Sequence, residues 1–295
     1  MAHEVGFDDC GIAQAEAIPQ FSHSLQEWTA QGCHASMSFM EQHQEMRGNP
    51  QLLVPDAKSV ISLVVGYKPS QTMQGPFRIA QYAYGEDYHE KIKRMLFALI
   101  ARIQERYPDF EAKPCVDTVP ISDKLWAMKA GLGWIGKNTL FVHPRLGSFC
   151  NLGELVTAAE MDSYDSPIPN QCGECHKCVD ACPNRALKID SNNKSMLDAR
   201  RCTSYHTIEN RSEQLPESLR TNGYVFGCDC CQLVCPFNQQ APVSVEVPSE
   251  RLQELETLPQ ADEPTFKQLT RHSPISRIKY YQWHRNLEKV PKSAL

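Results

Sequence analysis

No stretch of this 295-residue chain is apolar for long enough to cross a bilayer. The longest strongly apolar run is Val60-Ile61-Ser62-Leu63-Val64-Val65, against the roughly 20 residues that a spanning helix needs. A basic-then-apolar leader is lacking as well: the opening Met1-Ala2-His3-Glu4-Val5-Gly6-Phe7-Asp8-Asp9 is acidic and reads as the edge of a folded domain. Self-similarity with a period of roughly 20–50 residues is missing, which sets aside solenoids and propellers. Neither a secreted nor a membrane protein is expected, and a cytoplasmic one is. What is present suits a globular protein. Hydrophobic residues make up 41% and charged residues 22%, enough to bury an ordinary core, and the length is that of about two domains.

The first 165 residues alternate between helical and extended patterns, which predicts an α/β (α+β) fold with a mixed sheet covered by helices. Helix is expected from Ser22 to His43, strand from Lys58 to Tyr67, and an amphipathic helix from Tyr88 to Tyr107, where Ile92, Met95, Leu96, Leu99, Ile100 and Ile103 follow helical spacing. A helix capped by Ser122 and running to Ala130, and strands at Leu140–Val142 and Leu152–Ala158, complete this part. Asp162 to Gln171 reads as a linker. Past Pro236 the prolines and acids predict an irregular extension. From Thr265 to Leu295 there are seven Lys/Arg and one acid, a basic end to a chain whose net charge is −5. The expected segments are 1–165, 166–240 and 241–295.

Cysteine is where the composition departs most from the ordinary. There are thirteen, and nine of them crowd between Cys172 and Cys235. An odd total clustered in one segment, with no leader, argues against a disulfide framework and for metal. Cys172-x2-Cys175-x2-Cys178-x3-Cys182-Pro183 is the bacterial ferredoxin run, whose first three thiolates wrap one cubane while the fourth serves a second cluster. Cys228-x2-Cys231-x3-Cys235-Pro236 repeats its last three positions, and the missing first cysteine would fall at Val225. Cys202 is the upstream cysteine left to complete the set. The ligand sets are then Cys172, Cys175, Cys178 and Cys235 for the first [4Fe-4S] cluster, and Cys182, Cys202, Cys228 and Cys231 for the second. Cys230 breaks the frame and is left out. Paired zinc hairpins are the competing reading, which a three-two-three run ending in Cys-Pro does not resemble. Cys10, Cys33, Cys115 and Cys150 lack ligand spacing, and most of them are expected to be buried structural thiols.

Two motifs mislead. Gly131-Leu132-Gly133-Trp134-Ile135-Gly136-Lys137-Asn138 matches the dinucleotide glycine pattern, and the phosphate loop except for Asn138 in place of Ser or Thr. Both need a strand before the glycines and a helix after, whereas here a helical pattern precedes and an extended one follows. A helix stop and a loop of close backbone approach are expected instead. Asp87-Tyr88-His89 is faintly like a histidine-on-cobalt motif, but Ile92 stands where that motif requires glycine. His89 is therefore read as an ordinary residue at a helix start.

Several stretches together resemble one family. They are Arg47-Gly48-Asn49-Pro50-Gln51-Leu52-Leu53-Val54-Pro55, Val116-Asp117-Thr118, the glycine stretch from Ala130 to Asn138, Gly147-Ser148 with Leu152-Gly153-Glu154, the ferredoxin run, Arg201-Cys202-Thr203-Ser204-Tyr205, and Gly227 to Pro236. The chain resembles the epoxyqueuosine reductases, cobalamin-dependent iron–sulfur enzymes that complete queuosine in tRNA. The resemblance implies a cobalamin held between the sheet and the cluster module, with no protein ligand below the cobalt. It implies single electrons from an external donor passing through the second cluster, then the first, to cobalt. Asp117 would be the proton donor, which requires a carboxyl kept protonated by an apolar, shielded site. Arg47, Ala80, Asp117, Phe141, Leu152, Arg201 and Ser204 would line the cobalamin.

Many relatives continue into C-terminal helical repeats that grip tRNA, whereas this sequence stops at Leu295 and begins close to Gly6-Phe7-Asp8. The basic end could take over that grip: Arg271, Arg277, Lys279, Arg285 and Lys289 interleave with Tyr280, Tyr281, Trp283 and His284, a pattern suited to phosphates and unpaired bases. It could equally be a helix covering the core. A monomer free of membrane is expected. The competing functions are a cobalamin-dependent reductive dehalogenase and a two-cluster electron carrier.

Overall fold

The computed structural model describes residues 1–190 and 194–290. At its centre lies a four-stranded sheet of β1 (Asp9–Gln14), β2 (Ser59–Gly66), β3 (Lys113–Cys115) and β4 (Cys150–Thr157), in the order β1-β2-β4-β3. All three pairings are antiparallel. This corrects the mixed sheet within an otherwise correct fold class; the parallel pairing joins Arg78–Ile79 to Tyr224–Phe226, outside this sheet.

β2 is buried along its whole length, as its unbroken run of β-branched residues predicts. Its side chains alternate between two cores. Val60 and Val64 join Trp126, Ala127 and Leu152 on one face, while Ile61, Leu63 and Val65 join Ile92, Leu96 and Leu99 on the other. The second face is covered by α2 (Tyr88–Gln104), whose start is capped by Asp87 accepting from the His89 N–H. Leu96 is fully buried there. Leu96→Ala should therefore cost about 2–5 kcal/mol, read as a lowered midpoint in denaturant unfolding at unchanged slope. The first face carries α3 (Asp123–Lys129) and looks onto the candidate site.

Three expectations are corrected. The helix expected over 22–43 is instead α1 (Pro19–Ala30), because Gly32 takes φ +66 and turns the chain, leaving only short turns of helix at Ser38–Met40 and Gln44–Arg47. The stretch 162–171 forms no helix or strand, yet it is no slack linker: Asp165 exchanges hydrogen bonds with the Ile12 backbone and covers the free edge of β1. The irregular extension is in fact helical, at Pro236–Gln240, Ser249–Thr257, Glu263–Thr270 and α4 (Tyr280–Leu287). The prolines mark helix starts, with Pro236 and Pro264 in first turns and Pro248 at a cap, where a missing N–H costs nothing.

α4 belongs to the core. Trp283 is 0% exposed, and the buried Arg285 guanidinium donates to the carbonyls of His206, Asn210 and Ser212. Asn286 donates to Thr207 and Val225 at 2.8 Å each. Trp283 and Arg285 are thus withdrawn from any RNA-gripping role. Lys289 caps the carbonyls of Pro216 and Glu217, and Arg277 is paired with Glu209 at 2.6 Å and 3.0 Å. The end of the basic segment, residues 291–295, lies outside the described residues. Among the described residues, no helix is long and apolar enough to cross a membrane.

Candidate cluster sites and a shared cavity

The two thiol sets read from spacing stand around two different spaces. Cys172, Cys175, Cys178 and Cys235 line a cavity of about 270 Å³ with Lys137 and Phe237. Burial, followed by the neighbouring Cys172 and Cys235, pushes the Cys178 thiol up to about 11. Cys182, Cys202, Cys228 and Cys231 line a larger cavity of about 620 Å³. Burial, then Cys202 and Cys182, raises Cys231, so the sequence-distant Cys202 does arrive beside its expected partners. Cys230 lines the same space but lies against Cys228, with the Asn222 amide donating to its sulfur at 3.7 Å. Among the described residues no three His, Cys, Asp or Glu are gathered for a single metal ion; the thiols surround spaces instead.

The glycine loop between α3 and the short strand Phe141–Val142 brings the first set to the sheet domain. A Cβ at Gly133 would lie 2.2 Å from the Val142 carbonyl, so only glycine permits this approach. Lys137 is buried and donates to the Gly173 carbonyl at 2.6 Å, inside the ferredoxin run. The helix before and the strand after these glycines bear out a close-approach loop, not a nucleotide site.

The large cavity also collects Arg47, Ala80, Asp117, Phe141, Leu152 and Ser204. These come from a short helix, a loop after a strand, a turn, two strands and a helix start, so only the fold brings them together. Arg201 is not among the lining residues; it is exposed and donates to the Asn184 carbonyl at 2.8 Å. Cys150, expected among structural thiols, does line the cavity. The second thiol set therefore shares a space with Asp117 and the first does not.

Asp117 is the middle residue of a tight turn. Its φ is +43, and the Thr118 N–H donates back to the Val116 carbonyl, a γ-turn that L-residues adopt only under constraint. Its side chain is 58% exposed to the cavity. Oδ2 accepts from the Tyr88 hydroxyl at 2.9 Å and lies 3.0 Å from His89 Nε2, whose Nδ1 is 2.7 Å from Asp87 Oδ1.

This geometry corrects the expected electrostatics. The hydrogen bond from His89 holds the Asp117 carboxyl below its ordinary value, against burial and with help from Tyr88. Burial pulls His89 down, but its hydrogen bonds to Asp117 and Asp87 outweigh it and raise the imidazole. The carboxyl is accordingly tied into a hydrogen-bonded pair with His89 and is not isolated. Asp87, Tyr88 and His89 were missed as site residues because nothing in the spacing links a helix start to a turn 28 residues on. Their position at the head of an amphipathic helix was the one available sign.

Comparison with known proteins follows the same division. Residues 47–118 match the family described as epoxyqueuosine reductase QueG, DUF1730, and residues 171–238 match a 4Fe-4S double cluster binding domain. An epoxyqueuosine reductase of Leadbetterella byssophila is 37% identical over 98% of this chain and 95% of its own. The structure of epoxyqueuosine reductase from Streptococcus thermophilus superposes with a TM-score of 0.87 at 28% identity, covering 100% of this chain and 81% of that one. An epoxyqueuosine reductase crystallised with an epoxyqueuosine-modified tRNA-Tyr stem loop superposes with a TM-score of 0.83 at 28% identity, over 97% of this chain and 78% of that one. With the double-cluster match over the ferredoxin run and the whole-length similarity in agreement, the chain belongs to the epoxyqueuosine reductase family of oxidoreductases.

Proposed function

We propose that this protein reduces epoxyqueuosine to queuosine at the wobble position of tRNA. It would use cobalamin in the large cavity, fed by two [4Fe-4S] clusters, with Asp117 as proton donor. The observation that carries this reading is the meeting, in one cavity, of Asp117 and the second thiol set. The tRNA stem loop bound by a relative supports the substrate. The three segments would serve as a cobalamin-binding catalytic domain (1–165), a two-cluster module (166–240) and a C-terminal extension (241–295).

The cavity wall suits the cofactor. Arg47 Nε is buried without a hydrogen-bond partner, a donor left for an amide or phosphate of a ligand. Ala80, Phe141 and Leu152 offer small or apolar contact, and Ser204 a hydroxyl. Bound there, cobalamin supplies the reductant that works on the epoxide-bearing ring. Removing the epoxide oxygen as water consumes two electrons and two protons. Asp117 would hand a proton to that oxygen, His89 would replace it, and Asp87 would hold the imidazole in register. An external one-electron donor would deliver its electrons at the first set.

Anaerobic reconstitution with iron, sulfide and cobalamin should give about eight irons, as two four-iron clusters require, and about one cobalt per chain by metal analysis. Iron uptake with no retention of cobalamin would overturn the proposal.

A further inference from the structure

Beneath the Asp117 turn lies a second pair of acids, to which neither the motifs nor the proposed chemistry assigns a role. Glu154 sits on β4, directly across from Ser62 on β2 and Cys115 on β3, and is 0% exposed. Both its carboxylate oxygens, and Asp123 Oδ1, lack a donor, although the two carboxyls are within hydrogen-bond reach of each other. Ser62 Oγ beside them is also unpartnered. Two ionised carboxylates accept and cannot donate, so this contact is complete only with a proton between them. The remaining oxygen, Asp123 Oδ2, accepts the Asp117 backbone N–H at 3.2 Å. The acid pair therefore holds the main chain of the turn, while Tyr88 and His89 hold its side chain.

We propose that Asp123 and Glu154 are positioning residues, which hold the Asp117 turn in its constrained conformation through a single shared proton. With that proton in place, Asp123 is fixed by Glu154 and presents Oδ2 to the Asp117 N–H. Without it, two like charges face each other in the core, Asp123 is driven from Glu154, and the turn loses its backbone anchor. The other charged or titratable groups facing the pair are Arg47 from the helix Gln44–Arg47, Tyr88 from α2, Lys124 from α3, Cys115 from β3 and Asp117 itself. Lys124 already donates to the Thr139 carbonyl at 2.9 Å, and Arg47 to that of Phe39 at 3.1 Å.

The direction of the shifts agrees. Burial first, and then the charge of Asp117, raises Asp123 to about 7, and burial with Asp123 raises Glu154 well above the carboxylate range. For acids raised in the folded state, the stabilisation is complete below their unfolded values and is lost as pH rises through the folded ones. The anchor is thus in force while one proton stays on the pair, and it weakens only as pH rises past Asp123's value through the higher one of Glu154.

Hydrogen exchange of the cluster-loaded full chain, followed by mass spectrometry on peptides spanning residues 116–123, tests this. After correction for the intrinsic rise of exchange with pH, protection in the wild type should fall about tenfold per pH unit on the alkaline side of neutrality, once Glu154 gives up the last proton. In Glu154→Gln, whose amide is a permanent donor to Asp123, protection should stay level with pH. If that variant does not fold, Asp123→Asn, which keeps an acceptor for the Asp117 N–H and gives Glu154 a donor, should give the same result. Protection in the wild type that does not depend on pH, or a variant that tracks the wild type, overturns the proposal. Should neither variant fold, the wild type itself decides: the infrared band of a protonated buried carboxyl must be present at about pH 6 and fade as pH rises, and its absence is equally fatal. The consequence for catalysis rests on Asp117 as proton donor, and there the high-pH fall in turnover should be missing from Glu154→Gln. A difference in exchange without a difference in the turnover profile would keep the anchor and remove the proton-donor reading.

Discussion

Asp117→Asn is expected to lower turnover about 100- to 10,000-fold, the range for loss of a general acid, while leaving iron content, cobalamin retention and the folded spectrum unchanged. The substitution is close to isosteric, and an amide oxygen can still accept the Tyr88 hydroxyl that now reaches Asp117 Oδ2 at 2.9 Å. What it removes is a proton that can leave. The side chain stands on the wall of the large cavity and is tied to His89 at 3.0 Å. The reaction therefore draws on a proton shared by an imidazole and a carboxylate, and His89→Gln should also slow the enzyme by interrupting resupply. Single-turnover reduction of an epoxyqueuosine-bearing stem loop, measured beside the optical spectrum of the same sample, separates lost chemistry from lost cofactor. Full activity in Asp117→Asn would take the residue out of the role.

Cys202→Ser is expected to abolish steady-state turnover and to lower iron from about eight to about four atoms per chain. Cys202 precedes the short helix Thr203–Ile208, and it is the ligand of its set that lies in neither ferredoxin-type run. The neighbouring Cys182 and Cys230 charges contribute to its raised thiol, after burial. Its set faces the cavity where reduction is proposed, so an interruption there stops electrons at the first cluster even if that cluster is intact. Cys230 is the thiol that could stand in, since it lines the same cavity. The companion variant Cys230→Ser should keep all of its iron, because Cys230 lies against Cys228 and Asn222 and breaks the frame of spacing. Iron analysis and low-temperature electron paramagnetic resonance read both results. Unchanged iron in Cys202→Ser, or loss in Cys230→Ser, would exchange their assignments.

The site was legible to unequal degrees. Ligand spacing is local chemistry, so the two thiol sets could be written down before any fold was known, and each set lines its own cavity. Elements dominated by one periodicity were legible for the same reason: β2 is apolar at every position that must be buried on two faces, and α2 repeats its apolar residues on one side only. The C-terminal helices were hidden because proline at a helix start and proline in a loop look alike without the neighbouring turn. Residues such as Trp283 and Arg285 carried the signature of a nucleic-acid surface and turned out to be buried, because a guanidinium satisfied by three carbonyls is as stable in a core as at a phosphate.

Composition and spacing by themselves determined the clustering of cysteine for metal and the fold class, since each of these is written in residue type and local period; the family and its oxidoreductase class came from the resemblance of several stretches to its members. Only the tertiary structure decided which thiol set meets Asp117, that His89 and Tyr88 hydrogen-bond its carboxyl, that Arg201 stands outside the cavity, and that Asp123 beside Glu154 accepts the Asp117 backbone N–H. Those relations join residues as distant in sequence as Asp117 and Cys231, and a proton's place depends on distance, burial and neighbouring charge, none of which a linear pattern contains.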